Sequence, residues 1–283
     1  MVKLSDKIYI QFQKVMLLLL LFSVTVVPLA QGQTIFGSDL DTDNLLDIST
    51  LSGAGAIVGS FGFEIVEGLA CDIDTITLYG VDFATDQLIT INTDTGAGTA
   101  VGAIGFTNVF GLAFDPDRNI LYGSEIVNDQ LLIINTDTGA GIIVGAIGFG
   151  NVRALAFDSI TNTLYGVDLS TDQLITINTN TGAGTAVGAI GFDEVAGLTF
   201  DAETNTLYGS DNDTDQLISI NTDTGEGTVI GEIGFEVVNA LASCNPRIIS
   251  TNIPSLSEWG LAVMTVVLGI IGILALRGRK TIA

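Results

Sequence analysis

The chain has 283 residues, of which 47% are hydrophobic and 14% charged, and it contains 32 acidic residues, nine basic residues and no histidine. This much apolar material is enough for a folded core, which excludes general disorder. The missing imidazole removes the usual general base, triad partner and metal ligand, and the negative charge excludes nucleic-acid binding.

The first 32 residues have the pattern of a secretory signal peptide. A basic start precedes an apolar run from Val15 to Val27, Pro28 would break a helix, and Ala30 and Gly32 supply small residues at a cleavage spacing. The alternative is an uncleaved anchor, but this apolar run is short for a membrane span, which needs about 20 residues. The pattern therefore predicts export, with cleavage near Gln33.

From residue 34 the chain repeats itself with an offset of 43 residues. One landmark reads TIFGSD at 34, TLYGVD at 77, ILYGSE at 120, TLYGVD at 163 and TLYGSD at 206. A second reads GLACD at 68, GLAFD at 111, ALAFD at 154, GLTFD at 197 and ALASC at 240. The stretches 85–106 and 171–192 differ only in Asp94, which becomes Asn180.

Each repeat contains four short runs that suit β-strands. In the third repeat they are VFGLAFD, ILYGSE, QLLIINT and GIIVGAIG, separated by hairpin-length turns, so we expect antiparallel sheets. Four strands in about 43 residues is the size of one β-propeller blade, which needs neighbours to bury both of its faces. The fold class predicted is all-β, a five-bladed β-propeller. An open or dimerising array and a β-solenoid are the alternatives.

The phase of the repeat predicts how the ring closes. The exported chain begins with the second strand of a blade and ends with a first strand at 238–243. If that last strand pairs with the opening three, residues 33–248 form a closed propeller without a loose inner edge. This blade pattern, GLAFD…LYGVD…QLITINT…VG, resembles the non-WD propellers of exported bacterial proteins, the NHL and YVTN-like class.

An acidic motif, [DE]-x-x-x-D, lies between the second and third strands of every repeat. Asp favours short turns, because its side chain bonds its own backbone, so the motif is explained by a repeated turn. Oxygen ligands at alternate positions also suit Ca²⁺, although no loop has the EF-hand form. The candidate calcium ligands are Asp39, Asp41, Asp43, Asp82, Asp86, Asp168, Asp172, Asp211, Asp213 and Asp215, and the third repeat has Glu125 and Asp129 in the motif.

One position before each inner strand changes from repeat to repeat within an otherwise constant frame. In a propeller these segments share a rim with the acidic turns, so we expect a ligand or partner surface there, with drift in unconstrained loops as the alternative. The equivalent residues are Glu67, Phe110, Arg153, Ala196 and Asn239, and their neighbours are Glu64, Asn108, Asn151, Asp193, Glu194 and Glu236. Binding is predicted for Glu67, Phe110, Arg153 and Asn239.

Cys71 and Cys244 are the only cysteines, and a disulfide between them can persist in an exported protein. Their inner strands would be neighbours in the closed ring, so a bond would staple the closure. Their repeat positions differ by one residue, however, which could point the thiols apart. The sequence leaves the pairing open.

The C-terminal segment predicts a membrane anchor with a sorting motif. After a linker from 249, an uncharged run from Trp259 to Leu276 is long enough to cross a bilayer, and the basic tail 277–283 would remain cytoplasmic. The motif resembles the IPTL-CTERM sorting signal, a relative of the PEP-CTERM signals, with Ser where that family has Thr. It comprises Ile253, Pro254, Ser255, Leu256, Ser257, Glu258, Trp259 and Gly260.

This resemblance implies export in a Gram-negative-type bacterium and processing by an exosortase-type enzyme. The protein would be anchored in the inner membrane during sorting and then reach the cell surface or be released. An ordinary C-terminal anchor is the alternative. The region 33–258 carries 31 acidic and three basic residues, a net charge of −28, which favours cations or cationic partners or serves solubility alone.

The near-identity of the blades indicates a function without catalysis. A catalytic centre needs different side chains converging on one place, whereas residues 85–106 and 171–192 are almost the same. We expect a binding module for a matrix polymer, a surface partner or Ca²⁺, with no cofactor beyond that ion, or a purely structural component. A carboxylate- or metal-dependent hydrolase or lyase is the alternative, although acidic pairs such as Glu64 and Glu67 or Asp193 and Glu194 are expected from composition.

Overall fold

The computed structural model describes residues 34–245, which form twenty β-strands. The strands, numbered β1 to β20 in chain order, are Thr34–Asp39, Asn44–Ser49, Gly55–Ser60, Val66–Asp72, Thr77–Asp82, Gln87–Ile91, Gly98–Ala103, Val109–Asp115, Ile120–Glu125, Gln130–Ile134, Gly141–Ala146, Val152–Asp158, Thr163–Asp168, Gln173–Ile177, Gly184–Ala189, Val195–Asp201, Thr206–Asp211, Gln216–Ile220, Gly227–Glu232 and Val238–Ala242.

These strands form five antiparallel sheets of four strands each, which confirms the predicted five-bladed propeller. Blade 1 has the order β20-β1-β2-β3, and blades 2 to 5 are β4 to β7, β8 to β11, β12 to β15 and β16 to β19. The first strand of each blade is the inner one. The inner strands β4, β8, β12, β16 and β20 contact one another in sequence, and β20 contacts β4, so the ring is closed.

The closure predicted from the phase of the repeat is also confirmed. Strand β20 pairs with β1, with Phe36 opposite Ala242 and Ser38 opposite Ala240. The Nδ2 group of Asn245 donates a hydrogen bond to the carbonyl oxygen of Thr34 at 3.3 Å. The C-terminal end of the propeller therefore completes the blade that the N-terminal end begins, and no inner edge stays unpaired.

Burial decreases from the inner to the outer strand of each blade. Every residue of β8 is buried, whereas all six residues of β11 are intermediate or exposed, and Ile142 is 63% exposed. The third and fourth strands of blade 3 end two residues earlier than predicted. The third strand stops at Ile134 because the side chain of Asn135 accepts backbone hydrogen bonds from Asp137 and Thr138 and closes the turn.

Neighbouring blades meet through backbone contacts that repeat around the ring. The first amide of each outer strand donates to the connection that follows the preceding blade, as in Gly98 N to the oxygen of Phe61 at 2.8 Å. The equivalent bonds run from Gly55 to Ile233, from Gly141 to Ile104, from Gly184 to Ile147 and from Gly227 to Ile190. The five blades are thus joined by the same bond.

A pair of glycines lies at each of these junctions. Gly145 in the outer strand of blade 3 lies against the turn at Thr181 and Gly182 of blade 4, and a Cβ atom on either glycine would overlap the backbone of the other blade. Gly182 also has a φ of +82°, which favours glycine. The same pairs are Gly59 with Gly96, Gly102 with Gly139, Gly188 with Gly225 and Gly231 with Gly53.

A disulfide joins Cys71 of blade 2 to Cys244, which follows the inner strand of blade 1. The two Cα atoms are 5.3 Å apart, and the bond closes a loop with a sequence separation of 173 residues. The offset of one residue between the two repeat positions does not separate the thiols, because Cys244 lies beyond the end of β20 and is not held by sheet pairing. The bond links the last strand to the first complete blade.

Several predictions fall on residues outside the described range. They are the signal peptide over 1–32, the sorting motif from Ile253, the membrane helix over 259–276 and the basic tail over 277–283. Within residues 34–245, no helix is long and apolar enough to cross a membrane.

We predict that Gly145→Ala destabilises the propeller by about 1 to 3 kcal/mol, because the added methyl group meets the carbonyl oxygen of Thr181 in the next blade. Chemical denaturation monitored by circular dichroism measures this difference. The matched control is Gly150→Ala, since a Cβ there meets nothing closer than the Ser170 hydroxyl at 3.7 Å. An equal loss in both variants would contradict the packing argument.

We also predict that replacing Cys71 and Cys244 together by serine lowers the free energy of unfolding by about 2 to 5 kcal/mol, because the disulfide restricts a long loop in the unfolded chain. Calorimetry with and without reductant measures the change in melting temperature. The reductant should lower the stability of the natural chain and leave the double variant unchanged. A natural chain that melts at the same temperature in both conditions would disprove the contribution.

Candidate functional site

The first acid of each acidic motif closes the turn between the second and third strands. Asp168 is buried, and its two carboxylate oxygens accept bonds from the backbone amide of Ser170 at 3.1 Å and from the hydroxyl of Thr171 at 2.7 Å. Asp39 and Asp82 accept from the equivalent Thr42 and Thr85. Each of these carboxylates thus accepts hydrogen bonds from donors within its own turn, as is usual for short turns that contain Asp.

The last acid of the motif is explained by backbone conformation. Asp43, Asp86, Asp129, Asp172 and Asp215 have φ values between 52° and 56°, a left-handed conformation in which Asp and Asn are enriched. Asp43 also accepts a bond from the amide of Ile65 at 3.0 Å, which ties the turn to the connection leading to the next blade. The two acids of each motif therefore have separate structural roles.

The structure does not bring the candidate calcium ligands together. Asp41 and Asp213, which make the first and last loops the richest in acids, are exposed. Over residues 34–245, no group of three or more acidic, cysteine or histidine residues is placed to hold a metal ion. The geometry of the described turns thus supports the repeated turn and gives no support to a calcium cage.

The five residues at the variable position do converge, and they line one opening of the central channel. Glu67, Phe110, Arg153, Ala196 and Asn239 all lie around the narrow end of the channel on the face that carries the acidic turns. We call this face the upper face and this opening the upper mouth. The fold therefore assembles the predicted rim, which also contains Ala196, the one member for which the sequence predicts no binding role.

A β-bulge presents each of these residues to the upper mouth. In blade 4, Val152 pairs with Asp168 and Ala154 with Val167, so that Arg153 has no partner in the ladder. The register also shifts at Glu67, Phe110, Ala196 and Asn239. An unpaired residue is free to change without disturbing the sheet, and bulges commonly aim side chains at functional sites.

Amide and carboxylate side chains form a connected network across the upper mouth. Asn239 Nδ2 donates to Glu67 Oε2 at 2.9 Å, and Asn212 Nδ2 donates to Asn239 Oδ1 at 2.7 Å. Asn212 Oδ1 in turn accepts from the amide of Val238 at 3.0 Å. The network fixes the orientation of both asparagines, because each amide oxygen accepts from a defined donor.

Burial raises the pKa of Glu67 above the ordinary range for glutamate. The side chain is 8% exposed, so the loss of water is the largest influence on its charge. The hydrogen bond from Asn239 and the positive charge of Arg153 act in the opposite direction and lower the pKa. Removal from water has the larger effect, so the pKa of Glu67 is higher in the folded state than in the unfolded chain.

Arg153 is held at the upper mouth by an aromatic ring and an amide. Its guanidinium carbon lies 4.7 Å from the ring centroid of Phe110, a cation–π contact, and its Nε atom donates to Asn151 Oδ1 at 2.9 Å. Phe110 packs in turn on Phe83 with ring centroids 5.2 Å apart. Of the two arginines in the described range, Arg118 forms an ion pair with Asp115 and Arg153 forms none.

A cleft of about 410 Å³ opens beside Ala196. The small side chain of Ala196 leaves space where the equivalent positions carry larger groups such as Phe110 and Arg153. The cleft is lined by Asn151, Arg153, Leu169, Asp193, Glu194, Ala196, Asn212, Glu236, Val237 and Asn239. It therefore combines one guanidinium group, three carboxylates and three amides on a mostly polar surface.

Sequence reasoning missed Asn212, which connects this cleft to the amide network. A signal for it was present. The position after the first acid of the motif is apolar in the other repeats, with Leu40, Phe83, Ile126 and Leu169. Asn212 is the only polar residue at this position, and a residue that departs from the pattern of its repeat is a candidate for a function of its own.

Like charges crowd the side of the cleft that carries Asp193. The pKa of Asp172 is raised, first by the loss of water and then by the negative charges of Asp193 and Asp168. The local potential on this side is therefore negative, whereas Arg153 supplies a positive charge at the upper mouth. The cleft has one cationic and one anionic wall.

The five sheets and the closed ring of inner strands define the molecule as a five-bladed β-propeller. Residues 40–242 match the family described as Domain of unknown function (DUF4394), and the chain belongs to that family. Residues 251–278 match the IPTL-CTERM motif, which confirms the resemblance found from Ile253 onward. No curated protein matches the sequence.

Solved structures share the fold at low sequence identity. A chain in a crystal structure of a nidogen/laminin complex is 17% identical with a TM-score of 0.56, and the match covers 74% of this chain and 81% of that one. A structural genomics protein of unknown function from Bacteroides thetaiotaomicron VPI-5482 is 16% identical with a TM-score of 0.54, and the match covers 74% of this chain and 57% of that one. These likenesses concern the fold alone.

We predict that Glu67→Gln stabilises the protein near pH 7.5 and has no such effect below pH 4. The pKa of Glu67 is raised in the folded state, so the protonated acid contributes fully below its ordinary pKa, and that contribution is lost as the pH rises through the raised value. Glutamine keeps an oxygen that accepts from Asn239. Melting temperatures at both pH values measure the difference.

The control for this prediction is Glu64→Gln, which removes the same charge from an exposed position three residues upstream. A Glu67→Gln variant that melts below the natural chain at pH 7.5, or an identical gain in the control, would contradict the assignment of a burial cost to Glu67.

Proposed function

We propose that this protein is an exported, non-catalytic binding module that holds its ligand at the upper mouth of the propeller. The supporting observation is the contrast between a constant frame and five different side chains. The blades share the same junction glycines and turns, yet Glu67, Phe110, Arg153, Ala196 and Asn239 stand on bulges around one opening. Asymmetry confined to one opening is what a specific ligand requires of a repeated scaffold.

The chemistry of the upper mouth favours binding over turnover. The chain has no histidine, and Glu64 and Glu67 differ in environment: Glu64 is exposed, whereas Glu67 is buried and hydrogen-bonded to Asn239. Glu67 and Arg153 are each held by neighbouring side chains, an arrangement that positions groups for recognition. The ligand is a surface or matrix component outside the cell.

The second candidate is a carboxylate-dependent hydrolase or lyase. One observation favours it: burial raises the pKa of Glu67, as in many general acids, and this side chain borders a cavity. A second acid or base positioned against a shared reacting atom is what such an enzyme would require in addition.

The C-terminal motif supports export followed by sorting. A chain that carries an IPTL-CTERM motif is expected to be processed by an exosortase-type enzyme while membrane-associated. We propose that the mature propeller then acts at the cell surface, with release into the medium as the other destination. Fractionation of cells into membrane, surface and medium with an antibody against the propeller distinguishes the two.

The experiment for the binding function uses saturation-transfer NMR with the full-length chain and five probes: cellotriose, trigalacturonate, a glucosamine trimer, Gly-Gly-Gly and Lys-Gly-Lys. We expect at least one probe to bind, with an affinity, taken from the concentration dependence of the signal, that is reduced about tenfold or more by Arg153→Ala or Asn239→Ala, because a charge-assisted hydrogen bond contributes about 1.5 to 3 kcal/mol. Mass spectrometry should recover the probe unchanged.

The matched control is Arg118→Ala, which removes the other arginine of the described range, the one paired with Asp115. Binding that survives both upper-mouth substitutions would overturn the assignment of the site. Cleavage or elimination products in the recovered probe, lost in Glu67→Gln, would favour the enzyme instead.

A further inference from the structure

The cleft beside Ala196 has the size of a small-molecule site. Its volume of about 410 Å³ falls in the lower part of the range of roughly 300 to 1,000 Å³ that such sites occupy. It is formed because Ala196 occupies the bulge position at which other blades have larger side chains. The space is thus a local property of the inner ends of blades 4, 5 and 1, and the repeat as a whole does not produce it.

One wall of the cleft offers unused hydrogen-bond donors. Arg153 has five N–H groups, of which the Nε group donates to Asn151, and in the described part of the chain it has no carboxylate at ion-pair distance. The contact with Phe110 holds the guanidinium plane in place. A fixed guanidinium with free Nη groups is suited to a bidentate bond with a carboxylate.

The other wall is anionic. Asp193 and Glu194 lie on the connection before β16, and Glu236 lies on the connection before β20. Asp193 is close enough to Asp172 to disfavour its ionisation, so negative charges already repel one another here. A cationic group beside Asp193 would relieve that repulsion.

The field of the whole domain excludes simple anions from this site. All the acidic residues except Asp6 and Glu258 fall within residues 34–245, so 30 acids face only Arg118 and Arg153, a net charge of −28. A free carboxylate approaching Arg153 meets this field, whereas a molecule that also carries a positive charge does not. The field of the domain therefore weakens the binding of a plain anion at Arg153.

We propose that the cleft binds a zwitterion of the amino-acid type, whose carboxylate pairs with Arg153 and whose ammonium or guanidinium group lies among Asp193, Glu194 and Glu236. The amides of Asn212 and Asn239 supply the polar floor. The ligand has a net charge of zero or above. This assignment rests on the proposed binding function and names the chemical class that the function would serve.

The experiment is isothermal titration of the full-length chain with probes that differ by one group. L-arginine has both charges, argininamide lacks the carboxylate, glutarate lacks the cation, and glucose has neither. We expect L-arginine to bind at least about tenfold more tightly than argininamide, with glutarate and glucose weaker still. The dipeptide Gly-Arg, compared with L-arginine, shows whether the free amino acid or a peptide end is preferred.

Variants of the two walls separate the two charges. Arg153→Gln should remove the preference for L-arginine over argininamide, and Asp193→Asn with Glu194→Gln should weaken both probes by about tenfold. Ala196→Leu should abolish binding by filling the cleft. The control Arg118→Gln should leave every affinity unchanged, and raising the salt from about 50 to 500 mM should weaken binding because the Debye length falls.

The possible results have distinct meanings. Equal affinities for L-arginine and argininamide, or no binding of any arginine probe, would overturn the zwitterion. Binding of glucose that Ala196→Leu abolishes would also overturn it and would leave the wider binding function in place. If Ala196→Leu fails to fold, the Arg153→Gln comparison of the two arginine probes decides the matter alone.

Discussion

The structure depends on how closely the backbone of one blade approaches the next. At each of the five junctions a glycine of an outer strand lies against a glycine in the third turn of the neighbouring blade, and a backbone hydrogen bond runs beside them. Because no side chain separates the two backbones, the spacing between blades is set by atoms that every repeat shares. The inner strands of neighbouring blades are thereby brought into contact, and five of them close a ring.

This uniform frame explains how variation can be concentrated at one place. Side chains in the sheets must fit the next blade, so the strand sequences remain nearly constant from repeat to repeat. A bulge releases one residue per inner strand from that requirement, and all five released residues meet at the upper mouth. The bulges account for both the space and the charge of the cleft, because Ala196 at one bulge leaves room and Arg153 at the neighbouring bulge supplies a positive charge.

Much of the fold could be predicted from the sequence, because the start and end of each repeat can be recognised in the sequence itself. The 43-residue offset predicts the length of one blade. The chain begins with a second strand and ends with a first strand, which predicts that β20 pairs with β1 and completes the sheet of β1 to β3. The residues of the upper mouth can be predicted because they occupy a position that varies between repeats whose other positions are nearly constant. The acidic motif remained ambiguous because both a turn and a calcium loop require Asp, and only hydrogen-bond geometry distinguishes them.

The features that escaped prediction depend on distances across the ring. Whether Arg153 reaches Phe110, or Asn239 reaches Glu67, follows from the bulge register and the ring diameter, which a single repeat does not contain. The sequence does not decide whether the disulfide forms, because a one-residue offset argues against it within regular strands. Cys244, however, lies just beyond the last strand, where the chain is free to turn toward Cys71.

Because the five junctions are equivalent, the outer strand of one blade also fits the third turn of a blade that is not its proper neighbour, so the junctions alone do not determine which blades pair during folding. The copies at 85–106 and 171–192 are almost interchangeable, so noncovalent packing alone does not tell blade 2 from blade 4 while the chain is incomplete. The cysteines break this degeneracy, because they occur once each and meet only when the terminal strand joins its proper partners. The disulfide, once formed, holds the terminal strand in the blade that it completes and so opposes rings with skipped or swapped units.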